Sequence, residues 1–272
     1  MHEELKKQAY EARKIFLTIA AKTGALHIGS SLSHIDLLTA LYSDFLNVSP
    51  ENSKDLKRDI FVLSKGHAAL GYYVILAQKG FIPLIDVEKY GQDNTYLAAH
   101  PVYGSAPGLE VTTGSLGHGL PIALGMAIVA KRLGWSSKYV VLLSDGEIDE
   151  GSNWEAILLA GHLKLDNLTV IVDYNKIQSF GTVKEVLDLE PFVDKWKAFN
   201  WFVQEIDGHK FEEIIPAFDI IKNNKNNKNN KPNVIIANTI KGKGVPYMEN
   251  KLEWHYLNIK LDALDDTIKQ LY

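Results

Sequence analysis

The sequence predicts an α/β fold in which helices flank a parallel sheet. Two apolar runs, residues 139–143 and 168–172, predict buried strands, because they are short, rich in β-branched residues and each followed by a polar turn. Between them, Trp154, Ile157 and Leu158 recur at helical spacing. A strand–helix–strand unit joins parallel strands through a right-handed crossover, so we expect the sheet to be parallel.

Each of these two strands is followed by a turn that carries metal-binding side chains. Asp145 and Gly146 follow the first strand, and Asn175 follows the second. Ligands of parallel sheets bind at the carboxyl ends of strands, so these turns are expected at one sheet edge. Carboxylate, amide and backbone carbonyl oxygens suit Mg²⁺ and leave positions for phosphate oxygens. Taken alone, these residues favour the simpler interpretation of a βαβ unit with polar turns.

Composition indicates an ordinary globular chain. Its 272 residues are 46% hydrophobic and 23% charged, which fits one large domain, here predicted over residues 1–272. The net charge of −4 gives no indication of nucleic acid or an anionic membrane surface. No apolar run approaches the length of a membrane span, and the charged amphipathic N-terminus does not resemble a signal peptide. The absence of cysteine excludes disulfides and thiolate metal sites; we expect a cytoplasmic protein.

The first half of the chain predicts helices separated by loops that carry histidines. A helix over residues 2–22 ends at Gly24, and a loop of small residues with His27 and His34 precedes a helix over 35–46. A strand over 58–63 leads through Ser64-Lys65-Gly66-His67 into another helix, a geometry that suits a phosphate or a polarised oxygen. Residues 81–110, with His100, are mostly loop.

The second half continues the alternation of helices and strands. A loop with three glycines precedes a helix over 121–131, with Pro121 in its first turn. Beyond the central unit we predict a helix over 191–199, a strand over 201–206 that ends at Asp207-Gly208-His209, a helix over 211–222 and a strand over 232–238. The asparagine- and lysine-rich residues 223–231 predict a flexible, solvated loop. The later Gly-Lys-Gly run lacks the phosphate-loop spacing.

Several stretches resemble the transketolase family, and in particular its split form, in which this half is a separate subunit. They are RDIFVLSKGHAALGYY, TTGSLGHG, the SDG…DYNKI pair of turns and LAGHLKLDNLTVIVDYNKI. The resemblance covers nearly the whole chain and implies a thiamine diphosphate-binding domain. It implies that Asp145 and Asn175 bind a metal through side chains and Ile177 through its carbonyl. Ser144 departs from the family pattern, which has glycine at that position.

The resemblance also implies roles for individual site residues. His27 and His100 correspond to residues that contact substrate oxygens, while His67 and His255 correspond to histidines beside the diphosphate. Glu150, and to a lesser extent Glu155, correspond to glutamates that relay protons across a dimer. The implied catalytic set is His27, His67, His100, His255 and Glu150. The implied cofactor-binding set is His67, Gly114, Ser115, Leu116, Asp145, Gly146, Glu147, Asn175, Ile177, Lys241 and His255.

The function implied by the resemblance is ketol transfer with thiamine diphosphate and Mg²⁺, Ca²⁺ or Mn²⁺. A two-carbon unit would pass from a ketose to an aldose, both as sugar phosphates, as in pentose phosphate metabolism. The glutamate that activates the cofactor's aminopyrimidine ring lies outside the resembling region. We therefore expect a separate C-terminal subunit with the pyrimidine domain, in a heterotetramer with two copies of each chain.

Other functions stay open on the sequence. A split enzyme of the same type could use a modified sugar or a 2-oxo acid as donor. The α-subunit of a 2-oxo acid dehydrogenase and a deoxyxylulose-phosphate-synthase-like enzyme are further candidates, but the set of His27, His67 and His100 favours ketose chemistry. A regulatory subunit without catalysis is the candidate from another class, and Ser144 is the residue that suggests it.

Overall fold

A computed structural model of the chain describes residues 1–223 and 230–272. Within those residues the strands form one parallel sheet, and this confirms the predicted fold class. The sheet order is β1-β2-β3-β5-β4, so the last strand in sequence inserts between the third and the fourth. The strands are β1 (Ile60–Leu63), β2 (Tyr139–Ser144), β3 (Leu168–Tyr174), β4 (Phe202–Asp207) and β5 (Asn233–Asn238).

Helices cover both faces of the sheet. Those of the described residues are α1 (His2–Thr23), α2 (Ile28–Leu32), α3 (Ile35–Ala40), α4 (Ala69–Gln78), α5 (Leu84–Val87), α6 (Gly119–Arg132), α7 (Asp145–Ile148), α8 (Gly151–His162), α9 (Val183–Val186), α10 (Phe192–Ala198), α11 (Phe211–Lys222) and α12 (Leu264–Gln270). One apolar core joins α1, α3, α4 and α11 to one face of the sheet. A second core joins α6, α8 and α10 to the opposite face.

The central strands are apolar throughout because both of their faces are buried. In β2, Val140 and Leu142 belong to the first core, whereas Val141 and Leu143 belong to the second. Alternate residues of a strand point to opposite faces, so a strand between two helical layers needs apolar residues at every position. This explains the two continuous apolar runs that predicted the fold.

The structure differs from the prediction between residues 24 and 46. The predicted helix over 35–46 is the short α3, continued by a π-helical turn at Leu41–Phe45. The preceding loop contains α2, whose residues are all buried. Its glycine and serines have weak helix propensity, so burial against neighbouring elements decides the conformation. The predicted first helix is confirmed as α1, which ends at Gly24 in the left-handed conformation, φ 67°.

The carboxyl ends of β1, β2, β3 and β5 lie side by side, and the loop after each strand carries one of the predicted site residues. His67 follows β1, Asp145 follows β2, Asn175 follows β3 and Lys241 follows β5. No helix among the described residues is long and apolar enough to cross a membrane. Most of the segment predicted as a flexible loop, residues 223–231, lies outside the described residues.

Candidate active site

A cleft of about 470 Å³ opens at the carboxyl ends of these strands. It brings together residues from loops that are far apart in sequence. The sequence-predicted residues that line it are His27, His67, His100, Gly114, Leu116, Asp145, Gly146, Glu150, Asn175, Ile177, Lys241 and His255. Ser30, Asp149, Gln178, Ser179, Phe180 and Val186 also line it and were not singled out from the sequence, because nothing in their local pattern marks them.

Three histidine rings form a cluster at the cleft. The ring centroids of His27 and His67 are 5.2 Å apart, those of His27 and His255 are 4.9 Å apart, and those of His67 and His255 are 5.6 Å apart. His27 has a positive φ of 58°, and its backbone N–H donates to the His255 carbonyl at 3.3 Å. A non-glycine residue in this conformation is strained, so the surrounding contacts hold His27 in place.

The three imidazole rings of the cluster are neutral at pH 7, because the pKa of each is lowered. Burial lowers the pKa of His27 to about 4, with smaller contributions from His100 and Lys241. Burial also lowers the pKa of His255 to about 3, with Lys241 as the next cause, and places that of His67 well below its ordinary value. Neutral imidazoles can accept as well as donate a hydrogen bond, which suits proton handling at sugar hydroxyl and carbonyl oxygens.

We expect these low pKa values to make folding stability fall on acidification. His27 binds a proton near pH 6.5 in the unfolded chain but only near pH 4 in the folded chain, so the unfolded state gains protons between those values. The loss of unfolding free energy between pH 6.5 and pH 5 is therefore expected to be smaller in His27→Gln than in the wild type. Urea unfolding at the two pH values measures it, with His162→Gln as control, since His162 is exposed on α8. Equal losses in wild type and His27→Gln would contradict the prediction.

The two predicted metal-binding turns are directly connected. Asp145 is 1% exposed, and its Oδ2 accepts the backbone N–H of Lys176 at 2.6 Å. Its Oδ1 accepts the N–H of Gly146 at 2.7 Å, and Asn175 Oδ1 accepts the N–H of Ile177 at 3.1 Å. Burial raises the pKa of Asp145 to about 6, and the Asp173 carboxylate adds to the shift. A buried carboxylate that is costly to ionise is well suited to a cation.

Lys241 extends into the same place. Its side chain is 1% exposed, and Nζ donates to the Ile177 carbonyl at 3.0 Å and lies 3.2 Å from His255 Nδ1. Burial lowers the pKa of Lys241 to about 8, while the Asp145 carboxylate acts in the opposite direction. Lys241 therefore links the two predicted metal-binding turns to the histidine cluster through the Ile177 carbonyl and His255.

The oxygen donor atoms of Asp145, Asn175 and Ile177 are of the kind that suits a hard cation such as Mg²⁺. Among residues 1–223 and 230–272, no group of three or more His, Cys, Asp or Glu side chains could hold a metal ion. A metal at this edge would therefore rely on Asp145, the Asn175 amide oxygen and the Ile177 carbonyl. Three oxygen ligands of the protein leave half of an octahedral Mg²⁺ shell for phosphate and water oxygens.

Two sequence-predicted cofactor contacts do not line the cleft. Glu147 is fully buried behind it and accepts from Ser64 Oγ at 2.5 Å and from the N–H of Gly117 at 3.1 Å. Ser144 and Glu147 form a capping box at the start of α7, in which the Ser144 hydroxyl accepts the Glu147 N–H at 3.3 Å. Ser144 thus has a structural role that glycine could not fill. Ser115 is exposed at the edge of its loop.

The other predicted residues divide between the cleft and the rest of the surface. Gly114 has a φ of 132°, and a Cβ there would come within 2.7 Å of the His100 ring, so only glycine lets His100 pack on this loop. Glu150 lines the cleft at the start of α8, whereas Glu155 is exposed farther along the helix. His34 is fully buried beneath α2 and does not line the cleft.

An ion pair that was not anticipated from the sequence lies beneath the cleft. Lys65 and Asp173 are both fully buried, and Lys65 Nζ bonds to Asp173 Oδ2 and donates to the Ser30 carbonyl at 2.9 Å. Asp173 also accepts from Ser33 Oγ at 2.5 Å and from the Thr239 hydroxyl. The pair therefore joins α2 to the ends of β1, β3 and β5. The nearest sequence signal is the position of both residues at strand ends.

Comparison with known proteins places the chain in one family. The family model described as "Transketolase, thiamine diphosphate binding domain" matches residues 6–271. A subunit of an apulose-4-phosphate transketolase from Actinobacillus succinogenes is 41% identical over 271 residues, which are 99% of this chain and 96% of the relative. The chain belongs to the transketolase family.

Other matches separate two kinds of transketolase. A 6-deoxy-6-sulfo-D-fructose transketolase subunit from a Clostridium species is 41% identical over 258 residues, which are 95% of this chain and 92% of the relative. The crystal structure of transketolase from Campylobacter jejuni aligns with a TM-score of 0.89 at 31% identity and covers 98% of this chain but only 42% of that one. This transketolase-family chain thus matches the subunits over nearly their full length and corresponds to less than half of the longer enzyme.

Proposed function

We propose that the chain is the diphosphate-binding subunit of a split transketolase that uses thiamine diphosphate and Mg²⁺. The observation that carries the proposal is the joining of the Asp145 and Asn175 turns, through the Asp145–Lys176 bond, beside a cluster of neutral histidines. Asp145, Asn175 and Ile177 would hold the metal. Lys241, His67, His255, Gly114, Leu116 and Gly146 would hold the cofactor, and Ser115 and Glu147 would contribute only through the loops that they support.

The protein's own contribution is positioning, charge and proton handling. Thiamine diphosphate supplies the carbon nucleophile and electron sink for the cleavage and formation of ketose carbon–carbon bonds. The neutral imidazoles of His27, His67 and His255 would hydrogen-bond to substrate hydroxyl and carbonyl oxygens and hold protons at these atoms. His100, at the rim of the cleft, would contact the donor ketose, and Glu150 would hold a proton towards the partner. Burial of the cluster strengthens each of these interactions.

The partner would be a C-terminal subunit that carries the pyrimidine domain. The apulose-4-phosphate and 6-deoxy-6-sulfo-D-fructose transketolase relatives, which match over more than 90% of their length, are named as subunits, while the Campylobacter jejuni transketolase is more than twice as long as this chain. Helices α6 and α8, with the residue that follows each, also expose several large apolar side chains, and clusters of such side chains mark protein–protein contacts. Its exposed members are Ile122, Val129, Leu133, Leu158, Leu159 and Leu163. A heterotetramer with two copies of each chain would cover such a surface.

Complementation tests this assignment. The isolated chain is expected to bind thiamine diphosphate weakly and to show no ketol transfer, because the group that activates the aminopyrimidine ring would come from the partner. Mixing it with the C-terminal transketolase subunit of the same organism should restore activity and give a particle with two copies of each chain by light scattering. Full activity of the isolated chain would refute the split-enzyme proposal, as would an absence of both association and activity in the mixture.

For the substrate we propose a modified ketose with an anionic phosphate or sulfonate group as donor. The relatives at 41% identity are named for apulose 4-phosphate and 6-deoxy-6-sulfo-D-fructose, whereas the human relative at 33% is named simply transketolase. Ser144, the residue that suggested a regulatory role, caps α7 and also lines the cleft. With the reconstituted enzyme, kcat/KM for modified ketoses is expected to exceed that for xylulose 5-phosphate by about tenfold or more. Equal values would favour the ordinary pentose phosphate reaction.

A further inference from the structure

The Asp207-Gly208-His209 turn after β4 places a histidine in a defined hydrogen-bonding state behind the cleft. His209 Nδ1 lies 2.7 Å from Asp36 Oδ2, and His209 Nε2 accepts the backbone N–H of Ile240 at 2.8 Å. A backbone N–H can only donate, so Nε2 must offer its lone pair and the ring proton must reside on Nδ1. The two contacts together require the neutral Nδ1–H tautomer, with Asp36 as the acceptor.

Asp36 is held by a second charged residue. Arg13 of α1 donates to both of its carboxylate oxygens, NH1 to Oδ1 at 2.9 Å and NH2 to Oδ2 at 2.5 Å. Both side chains are only 6% exposed. Burial alone would raise the pKa of Asp36, but Arg13 and His209 lower it to about 2, so the carboxylate stays ionised. This bidentate pair gives His209 a fixed anchor in α1 and α3.

Each residue of the turn contributes to the placement of His209. Asp207 Oδ1 accepts the backbone N–H of His209 at 2.9 Å, and the Gly208 N–H donates to the Asn238 carbonyl at 2.8 Å. A Cβ at Gly208 would come within 2.6 Å of Thr239 Cγ2, so only glycine permits this approach. The turn is thereby packed against the end of β5, directly before Ile240.

Ile240 immediately precedes Lys241, the buried lysine of the cleft. The segment that carries Lys241 has further anchors, because the Gly242 N–H donates to the Gly29 carbonyl at 3.0 Å and the Asn250 N–H donates to the Lys241 carbonyl at 2.9 Å. At its β5 end the Ile240–His209 bond adds to the bonds of Thr239 with the Tyr174 carbonyl and the Asp173 carboxylate. A displacement of the Ile240 backbone would move the Lys241 ammonium relative to the Ile177 carbonyl and the His255 ring.

We infer that His209 is a positioning residue that fixes Lys241 through the connected groups of Arg13, Asp36, His209 and the Ile240 amide. Its effect would be on the affinity for the diphosphate of the cofactor, since a buried ammonium held at one point binds an anion better than a mobile one. The inference rests on the proposed function for its ligand, but its structural part concerns only the residues of this chain.

Two substitutions separate positioning from general stability. His209→Leu removes both hydrogen bonds and leaves the partly buried Ile240 N–H without a protein acceptor. His209→Gln can restore both, because one side-chain amide offers an N–H to Asp36 and an oxygen to Ile240. Isothermal calorimetry with thiamine diphosphate and Mg²⁺ should show about tenfold weaker binding for the leucine variant, a loss typical of residues that orient a ligand-binding side chain. The glutamine variant should bind with nearly wild-type affinity. His2→Leu, at the chain's first helical residue, is the control.

Nuclear magnetic resonance supplies a readout that does not depend on the cofactor. Long-range ¹⁵N–¹H spectra of the wild-type chain should show His209 as the Nδ1–H tautomer, and the Lys241 ammonium resonance should shift in His209→Leu and return in His209→Gln. An Nε2–H tautomer, or an unchanged Lys241 resonance together with wild-type affinity in the leucine variant, would overturn the inference. Failure of the wild type to bind thiamine diphosphate would overturn the proposed function instead, with the tautomer and the Lys241 shift still observable.

Discussion

Replacing Asp145 by asparagine is expected to remove most of the Mg²⁺-dependent binding of thiamine diphosphate while the contact between the two turns is kept. The asparagine oxygen can still accept the Lys176 N–H, whereas the amide nitrogen cannot accept the Gly146 N–H as Asp145 Oδ1 does. The negative charge that attracts the cation is lost. Loss of a direct ligand should weaken binding by more than about 100-fold, beyond the range found for residues that act behind a ligand.

The same substitution has an expected pH signature in folding stability. The pKa of Asp145 is about 6 in the folded chain against 3.8 ordinarily, so between these values the folded state binds more protons than the unfolded state. Stability contributed by the protonated form is therefore lost as the pH rises through this window. When no metal is added, the free energy of unfolding of Asp145→Asn should accordingly fall less, or rise more, than that of the wild type between pH 4 and pH 7.

Calorimetric titration with thiamine diphosphate, once with Mg²⁺ and once with a chelator, measures cofactor binding. Urea unfolding at pH 4 and pH 7 measures the free energy of unfolding. Asp194→Asn is the matched control, because its carboxylate is 70% exposed on α10 and does not line the cleft. Retained Mg²⁺-dependent binding in Asp145→Asn would remove the basis for the metal site. The same change in unfolding free energy between pH 4 and pH 7 in both proteins would contradict the raised pKa of Asp145.

Replacing Lys65 by methionine is expected to lower the free energy of unfolding by about 3–5 kcal/mol, because it leaves the buried Asp173 carboxylate without its counter-charge. Methionine fills a similar volume, so a cavity is not the cause. The pKa of Asp173 is held below its ordinary value, against the effect of burial, chiefly by Lys65. In the variant this support is absent, and the Ser33 and Thr239 hydroxyls cannot replace the charge.

Denaturant unfolding of matched variants tests the ion pair. Lys131→Met is the control, because its pair with Asp166 is 37% and 32% exposed and is expected to contribute about 1 kcal/mol or less. The double variant Lys65→Met/Asp173→Leu should recover part of the loss, since no charge is then buried alone. If Lys65→Met cost no more than the control, the Lys65–Asp173 pair would not hold the strand ends together.

The fold was predictable because its signals are local. The β2–α8–β3 unit follows from two apolar runs and one helical period, and the C-terminal stop of α1 follows from Gly24. The segment before α3 was not predictable in the same way. Its small residues have little preference of their own, and packing around α2 decides their conformation.

The sequence by itself determined the parallel sheet, the placement of Asp145 and Asn175 at strand ends and the presence of loop histidines, because period and turn chemistry act over a few residues. Tertiary structure alone decided which of those residues meet. It brought His27, His67 and His255 together and buried Glu147 as a capping residue. It also paired Lys65 with Asp173 and joined His209 to Asp36 and Ile240. Contacts between distant segments depend on how layers pack, and pKa values depend on the burial that results, so neither could be read from the order of residues.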